Sequence, residues 1–204
     1  ARGEAPIGAA FDGARFPIIL RPLGSHAGRD LAKIDDAPAI SAYLDKVPDA
    51  TFYIAPFIDY SGKDGLFRKF RIALVAGRPF ACHMAISSHW MIHYVNAGMY
   101  EDAAKRAEEA AFMAHFDEFS RRHGKALEAV AQRSKLDYVC MDCAETRDGE
   151  LLIFEIDHAM VVHAMDSEAL FPYKQGHMLK VRRAFESFLF GLGATRPASL
   201  DCAA

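Results

Sequence analysis

Three carboxylates lie inside two apolar stretches of the chain. Asp142 follows Tyr-Val-Cys-Met, and Glu155 and Asp157 lie two positions apart in Leu-Leu-Ile-Phe-Glu-Ile-Asp. The dipeptide Asp148-Gly149 between the two stretches predicts a β-hairpin. If its turn has two residues, Asp142 lies directly opposite Glu155 and Cys140 lies opposite Asp157. Glu155 and Asp157 then share one face of the hairpin.

This clustering favours a metal site. Like charges directly opposite one another destabilise a sheet, and a hard cation such as Mg²⁺ removes that repulsion because it binds carboxylate oxygens. Asp142, Glu155 and Asp157 are therefore candidate metal ligands. The alternative is a longer loop with a shifted register, which would leave Asp142 at a surface edge without a metal.

Two other segments have the chemistry to bind phosphate. Arg21 ends a short apolar strand, and Gly24-Ser25-His26-Ala27-Gly28 follows it. Glycines let backbone N–H groups approach a phosphate closely, although this loop is neither a Walker A loop nor a dinucleotide fingerprint. Lys69 and Arg71 share one face of a predicted strand, which suits a phosphate clamp. The alternatives are an ordinary turn and a charged outer face of a hairpin.

Cysteine and histidine spacings suggest two further metal sites. Cys140, Cys143, His158 and His163 are spaced nearly as in a zinc finger. Cys140 and Cys143 would point to opposite faces of a strand, however, and this favours buried, small apolar side chains. The second possible site consists of histidines alone: His83, His89 and His93. The alternative is that these residues belong to a polar strand face and bind no metal.

The elements that must position these residues form an α+β pattern. Strands are predicted over residues 16–20, 51–54, 67–75, 80–88, 136–143 and 150–156. Helices are predicted over residues 35–46, over 100–136 with a break at Gly124, and over 173–190 with an end at Gly191. The alternating strands predict antiparallel sheets with one face covered and the other face open.

Composition excludes several classes of protein. The 204 residues carry a net charge of −3, with 51 % hydrophobic and 25 % charged residues. A DNA-backbone binder is normally basic, and no apolar run is long enough to span a membrane, so we expect neither nucleic acid nor membrane as a partner. Four cysteines form no disulfide scaffold, which favours a cytoplasmic location. The first residue is Ala rather than Met, which favours a fragment or a processed product.

Taken in order, four segments resemble the ATP-grasp superfamily. Residues 17–28 resemble its strand and glycine-rich lid, and residues 52–58 its adenine hinge. Residues 64–79 resemble its arginine-bearing hairpin, and residues 151–157, with Asp142 before them, its metal strand.

The resemblance implies two α+β subdomains with antiparallel sheets, which bind ATP with Mg²⁺ or Mn²⁺. It implies a carboxylate–amine or carboxylate–thiol ligase that acts through an acyl phosphate. Arg71 and Lys69 would be catalytic, and Asp142, Glu155 and Asp157 would hold the metal. The implied nucleotide contacts are Arg21, Gly24, Ser25, His26, Gly28, Ala55, Phe57, Ile58 and Phe154.

The chain departs from the family pattern at four positions, with Arg21 in place of Lys, Ala27 in place of Gly, Ala55 in place of Glu and Asp157 in place of Asn. Two alternatives stay open. The first is a small-molecule kinase, since some ATP-grasp relatives phosphorylate an alcohol. The second is a non-catalytic interaction module, which Arg21, Ala55 and Asp157 favour. We expect a lead-in at 1–15, a partial small subdomain at 16–58, a large subdomain at 59–193 and a tail at 194–204. The chain would then be the C-terminal part of a larger protein with an upstream domain.

Overall fold

A computed structural model of the chain describes residues 15–26, 28–48, 51–162 and 164–195. The chain divides into two compact units, Ala1–Asp59 and Tyr60–Ala204. Both units are built from antiparallel sheets and helices, so the predicted α+β class is confirmed. The predicted lead-in up to residue 14 and the tail from residue 196 lie outside the described residues.

The first unit contains a three-stranded antiparallel sheet in the order β2-β1-β3. Its strands are β1 (Ile18–Pro22), β2 (Ala32–Ile34) and β3 (Phe52–Pro56), and its helix is α1 (Ala37–Lys46). Asp36 caps α1 by accepting a hydrogen bond from Ala39 N at 2.9 Å. A small core fixes the helix on the sheet: Ile18, Leu20, Ile34 and Ile40. The short strand β2 was not predicted from the sequence.

The second unit contains a four-stranded antiparallel sheet in the order β5-β4-β6-β7. Its strands are β4 (Phe67–Val75), β5 (Arg78–Ser87), β6 (Tyr138–Glu145) and β7 (Leu151–Asp157). Its helices are α2 (Ala103–Ala114), α3 (Phe116–Arg122), α4 (Gly124–Ser134) and α5 (Lys174–Thr195). The pairing of β4 with β6 joins two hairpins that are far apart in sequence.

Strand β4 alternates as predicted. Phe70, Ile72 and Leu74 are buried on one face, and the Phe70 ring contacts Phe112 of α2 at 4.7 Å. The opposite face of the sheet, here called the polar face, carries charged and polar side chains on neighbouring strands: Lys69, Arg71, His83, Asp142, Glu155 and Asp157. One sheet therefore separates a hydrophobic core from a cluster of ionisable groups.

The hairpin β6–β7 has the predicted pairing but not the predicted turn. Thr146 N donates to Glu150 O at 2.9 Å, which leaves a three-residue loop that ends at Gly149 with φ of 80°. The extra loop residue shifts the register by one, and a bulge at Phe154 shifts it back. Asp142 is therefore opposite Glu155, as predicted, because two deviations cancel.

The predicted long helix is divided into α2, α3 and α4. Its breaks fall at His115 and His123, whereas Gly124 begins α4. The short middle helix turns Phe116 and Phe119 toward the core, where they extend the aromatic cluster around Phe70. The break predicted at Gly124 is found within one residue of it, whereas the break at His115 was not predicted.

Helix α5 packs on β4 and β5 and continues past Gly191, where it was expected to end. The Phe185 ring lies 5.2 Å from the Tyr138 ring of β6, so α5 covers the polar face at the end distant from Lys69. No helix among the described residues has the length and apolar character needed to cross a membrane.

Candidate functional site

The polar face is organised around the carboxylate of Asp142, which is only 2 % exposed. Arg71 donates from Nε to Oδ1 at 2.7 Å and from Nη2 to Oδ2 at 3.0 Å. Lys69 donates from Nζ to Oδ2 at 2.9 Å. Both carboxylate oxygens are thus held by charged donors, in part through the bidentate geometry that arginine provides.

The strand pairing creates this arrangement directly. Arg71 lies opposite Asp142 in the ladder between β4 and β6, and Lys69 is two residues away on the same face. Burial raises the pKa of Asp142, but the hydrogen bonds from Arg71 and the charge of Lys69 outweigh burial, and its pKa lies below the ordinary value. Asp142 is therefore ionised and fixes the two cations in place.

Arg71 and Lys69 differ in how many hydrogen-bond partners hold them. Arg71 also donates from Nη1 to the carbonyl of Val161 at 3.1 Å, so its guanidinium is held from two sides. The Lys69 ammonium has three donor hydrogens and gives one of them to Asp142. One carboxylate thus faces two cations, and the cluster of three groups presents a net positive charge to an anion on the polar face.

Glu155 and Asp157 occupy the adjacent strand β7 and are exposed. Asp157 Oδ1 accepts a hydrogen bond from Ala159 N at 2.8 Å. Among the described residues, no group of three or more His, Cys, Asp or Glu side chains is arranged to hold a metal ion. Because the oxygens of Asp142 are occupied by Lys69 and Arg71, the structure does not bring the three predicted ligands into one free cluster.

The fit to Mg²⁺ therefore differs among the three carboxylates. Mg²⁺ is commonly bound by one or two carboxylates together with substrate phosphates, and Glu155 and Asp157 satisfy that requirement on an exposed strand face. Asp142 does not, since a metal ion there would have to displace two ion pairs.

His83 lies opposite Arg71 in the ladder between β4 and β5. The centre of its ring lies 4.7 Å from that of Tyr94, with the two rings tilted by 40°, and its Nε2 is buried without a hydrogen-bond partner among the described residues. Burial, followed by the charge of Arg71, lowers the pKa of His83 to about 3. The imidazole is therefore neutral beside the two cations of the polar face.

Next to His83 lies a buried ionic network that the sequence analysis did not identify. Glu109 of α2 is fully buried and accepts hydrogen bonds from Met84 N at 3.0 Å and from Tyr173 Oη at 2.6 Å. Lys174, at the start of α5, lies 3.2 Å from Glu109 and 2.8 Å from Asp166. Glu109 thereby satisfies a backbone donor on the outer strand β5 and ties it to two helices.

Aromatic rings complete the surroundings of Lys174. Its Nζ lies 4.1 Å from the centre of the Tyr94 ring and 4.5 Å from that of Phe171. One sequence signal for this network is that Glu109 shares the buried stripe of α2 with Met113, where a charged residue needs a partner. Its partners are distant in sequence and could not be read from the pattern.

In the first unit, the glycine loop joins β1 to β2. Arg21 Nη2 donates to Ser25 O at 2.8 Å, so the side chain is tied to the loop that follows it. Gly24 and Gly28 adopt φ of 77° and 70°, which glycine allows without strain. The hydroxyl of Ser25 is buried without a partner among the described residues. Ala27 of the loop lies outside the described residues.

The other predicted nucleotide contacts have different surroundings. Ala55 is exposed on β3 opposite Ile19. The Lys33 ammonium lies 4.8 Å from the Phe57 ring centre, and Ile58 is exposed. These residues belong to the first unit, whereas Phe154 belongs to the second, where its ring lies 5.0 Å from the Tyr60 ring. His26, also predicted, accepts a hydrogen bond at its backbone carbonyl from Arg29 N.

The cysteines match the apolar interpretation. Cys82, Cys140 and Cys143 are free and buried. His158 is exposed, and His163 lies outside the described residues. The histidine-only site is not formed by the described residues.

No family model matches the sequence. Similar solved structures include a RimK domain protein ATP-grasp from Sphaerobacter thermophilus DSM 20745, with 19 % identity over 91 % of this chain and 56 % of that chain and a TM-score of 0.45. D-alanine–D-alanine ligase from Bacillus anthracis has 12 % identity over 89 % of this chain and 60 % of that chain, with a TM-score of 0.48. VanG D-Ala:D-Ser ligase from Enterococcus faecalis has 14 % identity over 87 % of this chain and 52 % of that chain, with a TM-score of 0.46.

The chain thus spans 52 to 60 % of the length of these structures. One of them is named as an ATP-grasp protein, the superfamily that the sequence motifs resemble.

Proposed function

We propose that this chain is the nucleotide-binding part of an ATP-dependent carboxylate–amine or carboxylate–thiol ligase, and that its polar face binds the phosphates of Mg²⁺-ATP. One observation carries the proposal. Lys69 and Arg71 are fixed side by side by the buried Asp142, and the exposed Glu155 and Asp157 lie on the adjacent strand face.

The cation pair suits a phosphoryl group. A transferred phosphoryl group carries charge on several oxygens, and catalysis consists mainly of positioning and electrostatic stabilisation. Asp142 holds both cations before any ligand arrives, so little reorganisation is needed when the charge develops. Lys69 has free donor hydrogens for a phosphate oxygen, while Arg71 contributes a fixed positive charge behind it.

The carboxylates of β7 suit the divalent ion that accompanies ATP. We assign Glu155 and Asp157 as its protein ligands, with phosphate oxygens completing the shell. Bound there, Mg²⁺ would neutralise phosphate charge and orient the γ-phosphate. In this proposal Asp142 is a positioning residue for Lys69 and Arg71 rather than a metal ligand.

The reaction has two steps. An oxygen of the substrate carboxylate bonds to the γ-phosphorus as the bond between that phosphorus and the β,γ-bridging oxygen breaks, and ADP leaves. The amine or thiol then attacks the acyl carbon, loses its proton, and releases inorganic phosphate. Lys69 and Arg71 stabilise the negative charge on the transferred group in the first step. Arg21, Gly24, Ser25, His26, Gly28, Ala55, Phe57, Ile58 and Phe154 remain proposed nucleotide contacts.

Calorimetric titration with a non-hydrolysable ATP analogue and Mg²⁺ tests the cation pair. A hydrogen bond to a charged group contributes about 1.5–3 kcal/mol, so Lys69→Met should raise Kd about 10- to 150-fold. The matched control is Lys63→Met, which removes an exposed lysine of the same unit and should leave Kd unchanged. Equal Kd values for the two variants would refute the role of Lys69.

A pair of double variants tests the metal ligands. Glu155→Gln/Asp157→Asn should abolish the difference between Kd measured with Mg²⁺ and Kd measured without it. Asp148→Asn/Glu150→Gln removes two exposed charges from the turn of the same hairpin and should preserve that difference. If both variants keep it, the metal is held elsewhere.

Product analysis separates a ligase from an alcohol kinase. Hydroxylamine converts an acyl phosphate into a hydroxamate, and it does not react in this way with a phosphoester of an alcohol. Hydroxamate that forms only with ATP and a carboxylate substrate supports the ligase. If the product is a stable phosphoester, the ligase proposal is wrong and the kinase alternative is supported.

A further inference from the structure

A second concave site lies away from the cation pair, at the other end of the polar face. It has a volume of about 560 Å³ and is formed where the β4–β5 hairpin turns beneath α5. Lys69 and Val75 are six residues apart on β4, a separation of about 20 Å at the usual strand rise. The site is therefore distinct from the surface proposed to bind ATP phosphates.

Local structure explains the shape of this concavity. Ala76 and Gly77 form a two-residue turn with φ of 48° and 76°, which brings Arg78 directly opposite Val75. On α5, the lining residues Lys180, Ala184 and Phe188 recur every four positions and so share one helix face. The small side chain of Ala184 leaves the space between its two larger neighbours.

The floor of the concavity is apolar, and its rim is cationic. Phe80 and Phe188 are half-buried against the core, and they provide ring surface for an apolar group. Arg78, Lys180 and Arg183 are exposed, and the Arg78 guanidinium lies 5.7 Å from the centre of the Phe80 ring.

Among the described residues, no acidic side chain forms an ion pair with this rim. None of the residues that line the concavity is acidic, and within the described part of the chain none of the three cations forms an ion pair. Arg182, the neighbour of Arg183, is by contrast paired with Glu186 at 2.7 Å and lines a different concavity. Three cations that form no ion pair with a described residue thus converge at one concave site, although the net charge of the chain is −3.

We infer that this concavity binds a small organic anion that has a phosphate or carboxylate head and an apolar body. Its volume lies in the range of small-molecule sites, which combine apolar walls with a few converging polar groups. Arginine and lysine together provide charge-assisted hydrogen bonds to the head, and the two phenylalanine rings contact the body. The inference is independent of the proposed ligase activity.

The test uses 1-naphthyl phosphate as the probe, added to the 204-residue chain and followed by amide NMR. We expect saturable shifts for Val75, Ala76 and Ala184. Two fragments of the probe serve as controls. Inorganic phosphate lacks the ring and 1-naphthol lacks the charge, so each should bind at least tenfold more weakly than the probe.

Adjacent arginines of α5 offer a matched pair of variants. Arg183→Gln should raise the Kd of the probe at least tenfold, whereas Arg182→Gln should change it less than twofold. Equal effects of the two variants would overturn the inference, as would 1-naphthol binding as tightly as the phosphate. Loss of probe binding in Lys69→Met, or its displacement by the Mg²⁺-ATP analogue, would also overturn it, because the probe would then occupy the surface around Lys69 and Arg71.

Discussion

Replacing Asp142 with asparagine separates the two roles that this carboxylate could have. In the structure it accepts three hydrogen bonds from charged donors at 2.7–3.0 Å. Asparagine keeps the shape and one acceptor oxygen, but it leaves Arg71 and Lys69, whose side chains are 19 % and 14 % exposed, without a counter-charge. The variant should therefore be less stable in the absence of any metal or nucleotide.

The size of the effect follows from the burial. Removing one partner of a buried ion pair costs about 3–5 kcal/mol, and we expect about 3 kcal/mol because both cations keep some contact with water. In a protein of this size each kcal/mol lowers Tm by about 2–4 °C, so Tm should fall by about 6–12 °C. Urea unfolding can be followed by tryptophan fluorescence, since the single tryptophan, Trp90, lies in the same unit as Asp142.

The matched control is Glu155→Gln, which removes the carboxylate directly opposite on β7. Because Glu155 is exposed, we expect a change within about 0.5 kcal/mol. If Asp142 were instead a metal ligand crowded by like charges, Asp142→Asn would stabilise the metal-free protein. An unchanged or higher free energy of unfolding for that variant would refute the ion-pair interpretation.

The remaining predictions concern pH and the buried network. The fold lowers the pKa of Asp142. Its contribution to stability is therefore complete above the unfolded pKa of about 3.9 and is lost as the pH falls through the pKa of the folded state. Urea titrations should show that the difference in unfolding free energy between wild type and Asp142→Asn shrinks below about pH 4. The pKa of His83 is about 3 in the fold and about 6.5 in the unfolded chain. The free energy of unfolding of the wild type should therefore fall by up to about 1.4 kcal/mol for each pH unit between pH 6 and pH 4. This decrease should disappear in His83→Gln and persist in the control His89→Gln, which changes an exposed histidine. Lys174→Met should lower the free energy of unfolding by about 3–5 kcal/mol, because it leaves the buried Glu109 without its cation. The control Lys180→Met on the same helix should change it by less than about 0.5 kcal/mol. Equal effects of the two variants would refute the importance of the network.

Local patterns gave the most accurate predictions. The alternation of Phe70, Ile72 and Leu74 with Lys69 and Arg71 assigned these five residues to the correct faces of β4, because side chains alternate along a strand. The prediction of an open second face was wrong for the second half of β4, where Ala73 and Val75 are buried as well. Residues 76–79 were predicted as the turn between β4 and β5, and the structure has a shorter turn at Ala76-Gly77, with Arg78 and Pro79 already in β5. Such features depend on a few neighbouring residues, so the sequence contains the information that determines them.

In the β6–β7 hairpin the predicted pairing is correct, although the predicted turn length is not. Asp148-Gly149 marks the turn, but glycine at positive φ serves a three-residue loop as well as a two-residue one. The bulge at Phe154 restores the predicted pairing of Asp142 with Glu155. A bulge depends on how the strand packs, and no pattern in the hairpin sequence predicts it.

The chemical role of Asp142 depended on a contact that no local pattern contains. Both hairpins, β4–β5 and β6–β7, could be predicted, but the pairing of β4 with β6 could not, because it joins segments about seventy residues apart. With β7 alone as a neighbour, Asp142 faces Glu155, and the repulsion between the two carboxylates calls for a metal ion. With β4 on its other side, Asp142 also faces Arg71 and Lys69, which satisfy both oxygens. The order of the strands thus pairs the predicted metal ligand Asp142 with two cations, and it leaves Glu155 and Asp157 exposed on β7, where we propose that the metal binds.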